Sequence, residues 1–148
     1  MLERIDATNS VSLHIRRGDY VTSKTVAERY GLCSLDYYRR AVDHIVQRAP
    51  SPHLFVFSDD PQWVQENLKI EYPTAHVTHN LSARDHEDLR LMSRCKHNVI
   101  ANSTFSWWGA WLNQNPNRIV IAPTPAYDKL GIKDDDLYPP AWVRLPRC

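Results

Sequence analysis

Glycine is scarce, with four in 148 residues. None falls in a G-x-G-x-x-G or G-x-x-x-x-G-K-[ST] pattern. The amide cradles of dinucleotide dehydrogenases and P-loop NTPases are therefore disfavoured. Cysteine is scarcer still. Cys33, Cys95 and Cys148 are odd in number, widely spaced and include no C-x-x-C pair. That argues against a zinc site or a disulfide framework, and for a reducing compartment. No apolar run approaches the roughly 18 residues of a membrane span, and the first residues lack a signal-peptide pattern. Charge of one sign is missing too: a formal net charge of +1 leaves no basic field for nucleic acid. Any anion must be held by local chemistry.

What is present is ordinary for one globular domain with a real core. Five tryptophans and seven tyrosines suit sugar or base stacking and core packing equally. Apolar runs predict strands over 11–15, 53–57, 75–78, 98–101 and 118–122. Between them, Ser34 predicts an N-cap for a helix over 35–48, with Tyr38, Val42, Ile45 and Val46 at helical spacing. Pro61 suits a first helical turn. Ser82 and Asp85 resemble a capping box for a helix ending near Arg94 that buries Leu89 and Met92. A Trp-rich helix follows over 104–113, with Trp107, Trp108 and Trp111 expected in the core. The Pro-rich remainder reads as irregular, with Asp134 to Asp136 in a solvated loop. Alternation of strands and helices indicates an α/β domain over 1–148: a Rossmann-like, mostly parallel sheet with flanking helices.

Ligands of such sheets bind beyond the carboxyl ends of the strands. Three predicted strands run straight into polar clusters there: His14-Ile15-Arg16-Arg17-Gly18-Asp19, Ser58-Asp59-Asp60-Pro61, and Asn102-Ser103-Thr104-Phe105-Ser106. Arginine presents a permanently charged planar fork that meets phosphate oxygens. The Asn-Ser-Thr run opens a helix, whose free amides favour an anion. Asp59 or Asp60 suits a ribose diol or the amino edge of a guanine. Together they describe a nucleotide-diphosphate pocket in which side-chain arginine replaces a glycine loop. Plainer alternatives stand beside each cluster. Arg16 and Arg17 could be a solvated strand exit, His14 a core histidine, and Asp59-Asp60-Pro61 turn chemistry with an N-cap. The triplet Arg17-Gly18-Asp19 spells an adhesion motif, which requires surface exposure. Adjacent carboxylates cannot flank a glycosidic bond at the needed separation of about 5 Å.

The blocks His14-x-Arg16-Arg17-Gly18-Asp19-Tyr20, Phe57-Ser58-Asp59-Asp60 and Asp88 through Asn98, running on into Ile100-Ala101-Asn102-Ser103-Thr104-Phe105-Ser106-Trp107-Trp108-Gly109-Ala110-Trp111-Leu112, resemble the α-1,2-fucosyltransferases of glycosyltransferase family 11. Ala122-Pro123 and Pro140-Ala141-Trp142 fit the tail of that family. The resemblance implies the donor-binding lobe of a two-lobed GT-B enzyme. It also implies inverting transfer of L-fucose from GDP-fucose to the 2-hydroxyl of a galactoside, with no metal and no other cofactor. The binding partners implied are GDP-fucose and a galactose-terminated glycan. Arg16, and with it Arg17, would hold the β-phosphate and stabilise departing GDP, and His14 would lie near the nucleotide. Asp60 with Asp59 would contact guanine or ribose; Asn102, Ser103, Thr104 and Ser106 would line the phosphate side. Asp19 is the nearest base for the acceptor hydroxyl. Met1 stands close before the first strand, so the family's amino-terminal acceptor half is expected to be absent. The missing leader favours the cytoplasm, peripheral to the inner membrane, with a Golgi lumen the alternative if an anchor precedes Met1. A non-catalytic nucleotide-sugar or glycan-binding module is the competing function.

Overall fold

The computed structural model describes residues 1–80 and 82–148. Among these residues, six strands form one sheet: β1 (Ser10–Ile15), β2 (His53–Ser58), β3 (Thr74–His76), β4 (His97–Val99), β5 (Val120–Thr124) and β6 (Val143–Pro146). Their order is β3-β2-β1-β4-β5-β6 and every neighbour pair is parallel. This is the order of nucleotide-binding doubly wound sheets, which reverses beside the first strand.

The helices are α1 (Leu2–Ala7), α2 (Gly18–Thr22), α3 (Lys24–Tyr30), α4 (Leu35–Val46), α5 (Pro61–Asn67), α6 (Asp85–Arg94), α7 (Thr104–Trp111) and α8 (Asp134–Leu137). Local chemistry sets several starts. The Ser34 hydroxyl accepts from the Tyr37 amide at 3.1 Å and caps α4. Asp60 accepts from the Trp63 amide at 3.3 Å, and Pro61 occupies the first turn of α5. The capping-box expectation rests on the Ser82 side chain, which lies outside what is described; α6 itself begins at Asp85.

The pleat sorts side chains between two faces. Val11, Leu13 and Ile15 of β1, with Leu54 and Val56 of β2, pack against Tyr37, Tyr38, Val42 and Ile45 of α4 and against α5. Phe55 and Phe57 face the other way, onto Ile5, Leu91 and Met92. On that second face β1 presents Ser12 and His14 rather than hydrocarbon. Ser12 is accommodated by a buried ladder. The Asn98 amide donates to Ser12 Oγ at 2.7 Å, and Asn113 donates to Asn98 Oδ1 at 2.7 Å. Ser12, Asn98 and Asn113 thus satisfy one another in the interior.

Several expectations need correction. α1 and β6 are absent from the sequence reading: α1 is six residues long with only Ile5 buried, and β6 is a half-buried edge strand ending in proline. In α6, Leu91 and Met92 are the buried residues, while Leu89 is half-buried. Trp108 and Trp111 are 50% and 53% exposed rather than core. Helix α7 is apolar all round, so periodicity could not choose its buried face, which Ser106, Gly109 and Ala110 occupy. The acidic run is not a plain loop. It forms α8, and Asp134 accepts from the Ala126 amide at 2.9 Å and from the Thr124 hydroxyl.

Candidate functional site

A hollow of about 490 Å³ opens at the carboxyl ends of β1, β2 and β3. Its size is in the usual range for small-ligand sites. His14 and Arg16 enter it from β1; Phe57, Ser58 and Asp59 from β2. Val77, Thr78 and Asn80 follow β3, Asp85 and Asp88 come from α6, and Phe105 from α7.

Arg16 is the cation of the hollow. Its Nη2 donates to Asp19 Oδ1 at 2.9 Å, and its Nη1 lies 3.3 Å from Asp59 Oδ2. Asp59 Oδ1 in turn accepts from the Arg17 amide at 2.8 Å. The guanidinium is therefore aimed before any ligand arrives. Gly18 makes the aim possible, because a Cβ there would overlap the Asp59 carboxylate.

His14 is buried against Phe105, and its Nδ1 has no hydrogen-bond partner. Burial, assisted by the charge of Arg16, pushes its pKa down to about 3, so at neutral pH the ring is uncharged. The unfolded chain binds that proton near pH 6.5, whereas the folded chain does so only near pH 3. The stabilisation is complete above about pH 6.5 and drains away as pH falls towards 3. Burial lowers His44, His53, His76 and His97 in the same direction. We expect the urea midpoint to drop between pH 7 and pH 5, and to drop less in His14→Asn. Equal drops in both proteins would place His14 in contact with water.

On the far wall, Asn80 donates to Asp88, and burial raises the Asp88 pKa. Asp88 opens one of the family blocks quoted above, but the sequence reading gives neither residue a role at the site. A signal existed: Asp85 and Asp88 stand three apart, on one face of a helix that follows a strand.

The structure separates the residues named from sequence. His14, Arg16 and Asp59 meet in the hollow. Asp19 sits at its rim through Arg16. Arg17 lies with Asp60 against Trp63, outside the hollow. That position also removes the arginine of the Arg17-Gly18-Asp19 triplet from free presentation. Asn102 is buried and donates to the Tyr30 and Gly31 carbonyls, both at 2.9 Å. Ser106 is buried too, bonded to the amide and carbonyl of Ala101. Ser103 caps α7 by accepting from the Phe105 amide at 3.3 Å. Ser103 and Thr104 border a separate slot of about 10 Å³, beside Tyr127 and Tyr138. Of the third cluster only Phe105 reaches the hollow. Asn102, Ser103 and Ser106 bond to backbone groups around the passage from β4 into α7, while Thr104 is exposed.

Residues 1–146 match the family described as Glycosyl transferase family 11. The chain belongs to that family. Among relatives, an Escherichia coli alpha-1,2-colitosyltransferase is 39% identical over 97% of this chain and 50% of its own length. The E. coli O-antigen biosynthesis glycosyltransferase WbnK is 40% identical over 93% of this chain and 45% of its own. The mouse galactoside 2-alpha-L-fucosyltransferase Sec1 is 28% identical over 91% of this chain and 38% of its own. The chain thus spans about half the length, or less, of these family 11 relatives. Among the described residues, no helix is long and apolar enough to cross a membrane.

Proposed function

We propose that this chain is the GDP-fucose-binding lobe of an α-1,2-fucosyltransferase that works by inversion and without a metal. The observation that carries the reading is Arg16, oriented by two carboxylates at the mouth of a hollow whose inner wall is acidic. A diphosphate would take up the guanidinium's outward donors, stabilising the charge that develops on departing GDP. Phe57, Phe105, Pro61 and Val77 supply apolar walls for a base. The Asp88 carboxylate, held by Asn80, matches the adjacent N–H donors on a guanine edge; adenine lacks that pair. This gives base reading to Asp88 in place of Asp60, and leaves Ser58 and Asp59 for the ribose. Asp19 binds Arg16 through Oδ1, and its Oδ2 is the acceptor we assign to the proton of the galactoside 2-hydroxyl.

Titration calorimetry with GDP and ADP tests the assignment. The wild type should prefer GDP. Asp88→Asn, which swaps one acceptor for a donor, should weaken GDP about 10–100-fold, on the scale of bonds to a charged group. It should leave ADP nearly unchanged. Absence of GDP binding by the folded chain rejects the proposal. The competing reading is a binding module without turnover. An assay of fucose transfer to lactose separates the two. The alpha-1,2-colitosyltransferase relative makes GDP-colitose the second donor to try.

A further inference from the structure

The two arginines that follow β1 are neighbours in sequence, and they continue the alternation by which the pleat sends neighbours to opposite sides of a sheet. Arg16 follows His14 into the hollow. Arg17 follows Ile15 towards the α4–α5 side, where Ile15 is buried and Trp63 packs against the same core. The two aspartates that follow β2 divide in the same way. Asp59 joins Phe57 on the hollow side, while Asp60 turns to α5.

Arg17 is held there by Trp63 and Asp60. Its guanidinium carbon lies 3.4 Å from the centre of the Trp63 ring, a stacked cation–π contact. Its Nε donates to Asp60 Oδ2 at 3.3 Å, and Asp60 Oδ1 caps the helix that carries Trp63. The Arg17 amide holds Asp59, and Asp59 holds Arg16. The Ser58 hydroxyl completes the frame, donating to the Ile15 carbonyl at 2.8 Å and accepting from the Asp60 amide at 3.0 Å.

We infer that Arg17 is a positioning residue: clamped on Trp63 and Asp60, it fixes the Asp59–Asp60 turn, which aims Arg16, and it does not touch the donor. This inference rests on the donor-binding reading given above. The alternative is that Arg17 swings out as a second phosphate ligand.

The two differ in what Trp63 should do. GDP affinity is measured by calorimetry for Arg17→Ala, Trp63→Ala, the double variant, Trp63→Phe and Arg17→Lys, with melting temperatures alongside. A clamp predicts that Arg17→Ala and Trp63→Ala each weaken GDP about 5–20-fold, and that the double variant is no weaker than either alone. Trp63→Phe should recover most of the affinity by restoring an aromatic face. Arg17→Lys should stay weak, because an ammonium lacks the flat face that stacks on Trp63 and the Nε–H that reaches Asp60. The salt dependence of GDP affinity should match wild type in all of them, since no phosphate contact is lost. A silent Trp63→Ala beside a damaging Arg17→Ala overturns the clamp, as does Arg17→Lys at wild-type affinity, because either makes Arg17 a direct ligand. If the wild type binds no GDP, the donor reading fails and the inference fails with it. If the wild type binds and Trp63→Ala is silent, only the inference fails.

Discussion

Arg16→Ala is expected to weaken GDP binding by about 10²–10⁴-fold while leaving the unfolding midpoint near wild type. The guanidinium can give a diphosphate two charge-assisted bonds, each worth about 1.5–3 kcal/mol, or about 3–6 kcal/mol together. Removing it also leaves Asp19 and Asp59 facing the phosphates with no cation between them. The fold should tolerate the change because the Arg16 side chain is one-third exposed and its ion pairs lie near solvent. Arg16→Lys should fall between, restoring a charge but not the fork that spans Asp19, Asp59 and a phosphate. Calorimetry with GDP decides the matter, and an unchanged dissociation constant for Arg16→Ala removes Arg16 from the site.

Gly31→Ala should cost about 3–5 kcal/mol of stability, the largest effect we expect from removing no functional group. Gly31 ends α3 with φ 71° and ψ 165°, backbone territory that essentially only glycine occupies and that costs a substituted residue about 1–3 kcal/mol. Space is denied as well. An added Cβ would overlap Arg147 Nη1 and crowd Asp128 Oδ2. Arg147 is buried, paired with Asp128 and bonded to the Tyr30 carbonyl. Displacing it loses bonds to a buried charge, worth about 1.5–3 kcal/mol more. Against a whole-domain stability of about 5–15 kcal/mol, the loss is about a fifth or more. Urea unfolding should show a lower midpoint at unchanged slope. A midpoint within about 1 kcal/mol of wild type would mean that the chain avoids the positive φ in solution.

Much of the architecture was legible from the chain. β2 carries a continuous apolar run because both of its faces are covered, and Ser34 and Pro61 mark helix starts by local chemistry that acts within one turn. The ends were harder. β6 forms because β5 offers it an unpaired edge, a reason that nothing in Val143 to Pro146 expresses locally. The Asn102–Ser106 run is ambiguous in sequence for a related cause. Its residue types suit an anion site and a capped, buttressed turn equally well, and the carbonyls of Tyr30 and Gly31 that claim Asn102 lie about seventy residues away in sequence.

The sequence by itself determined the alternating strand–helix order, the placing of charge at strand ends, and the reliance on arginine where glycine is lacking. Only the tertiary structure decided which member of each charged pair does what. Arg16 and Asp59 face the hollow while Arg17 and Asp60 clamp its back, because a sheet has two sides and successive residues take opposite ones. The same folding brought Asn80 and Asp88 across to meet His14, an encounter between segments that share no local signal.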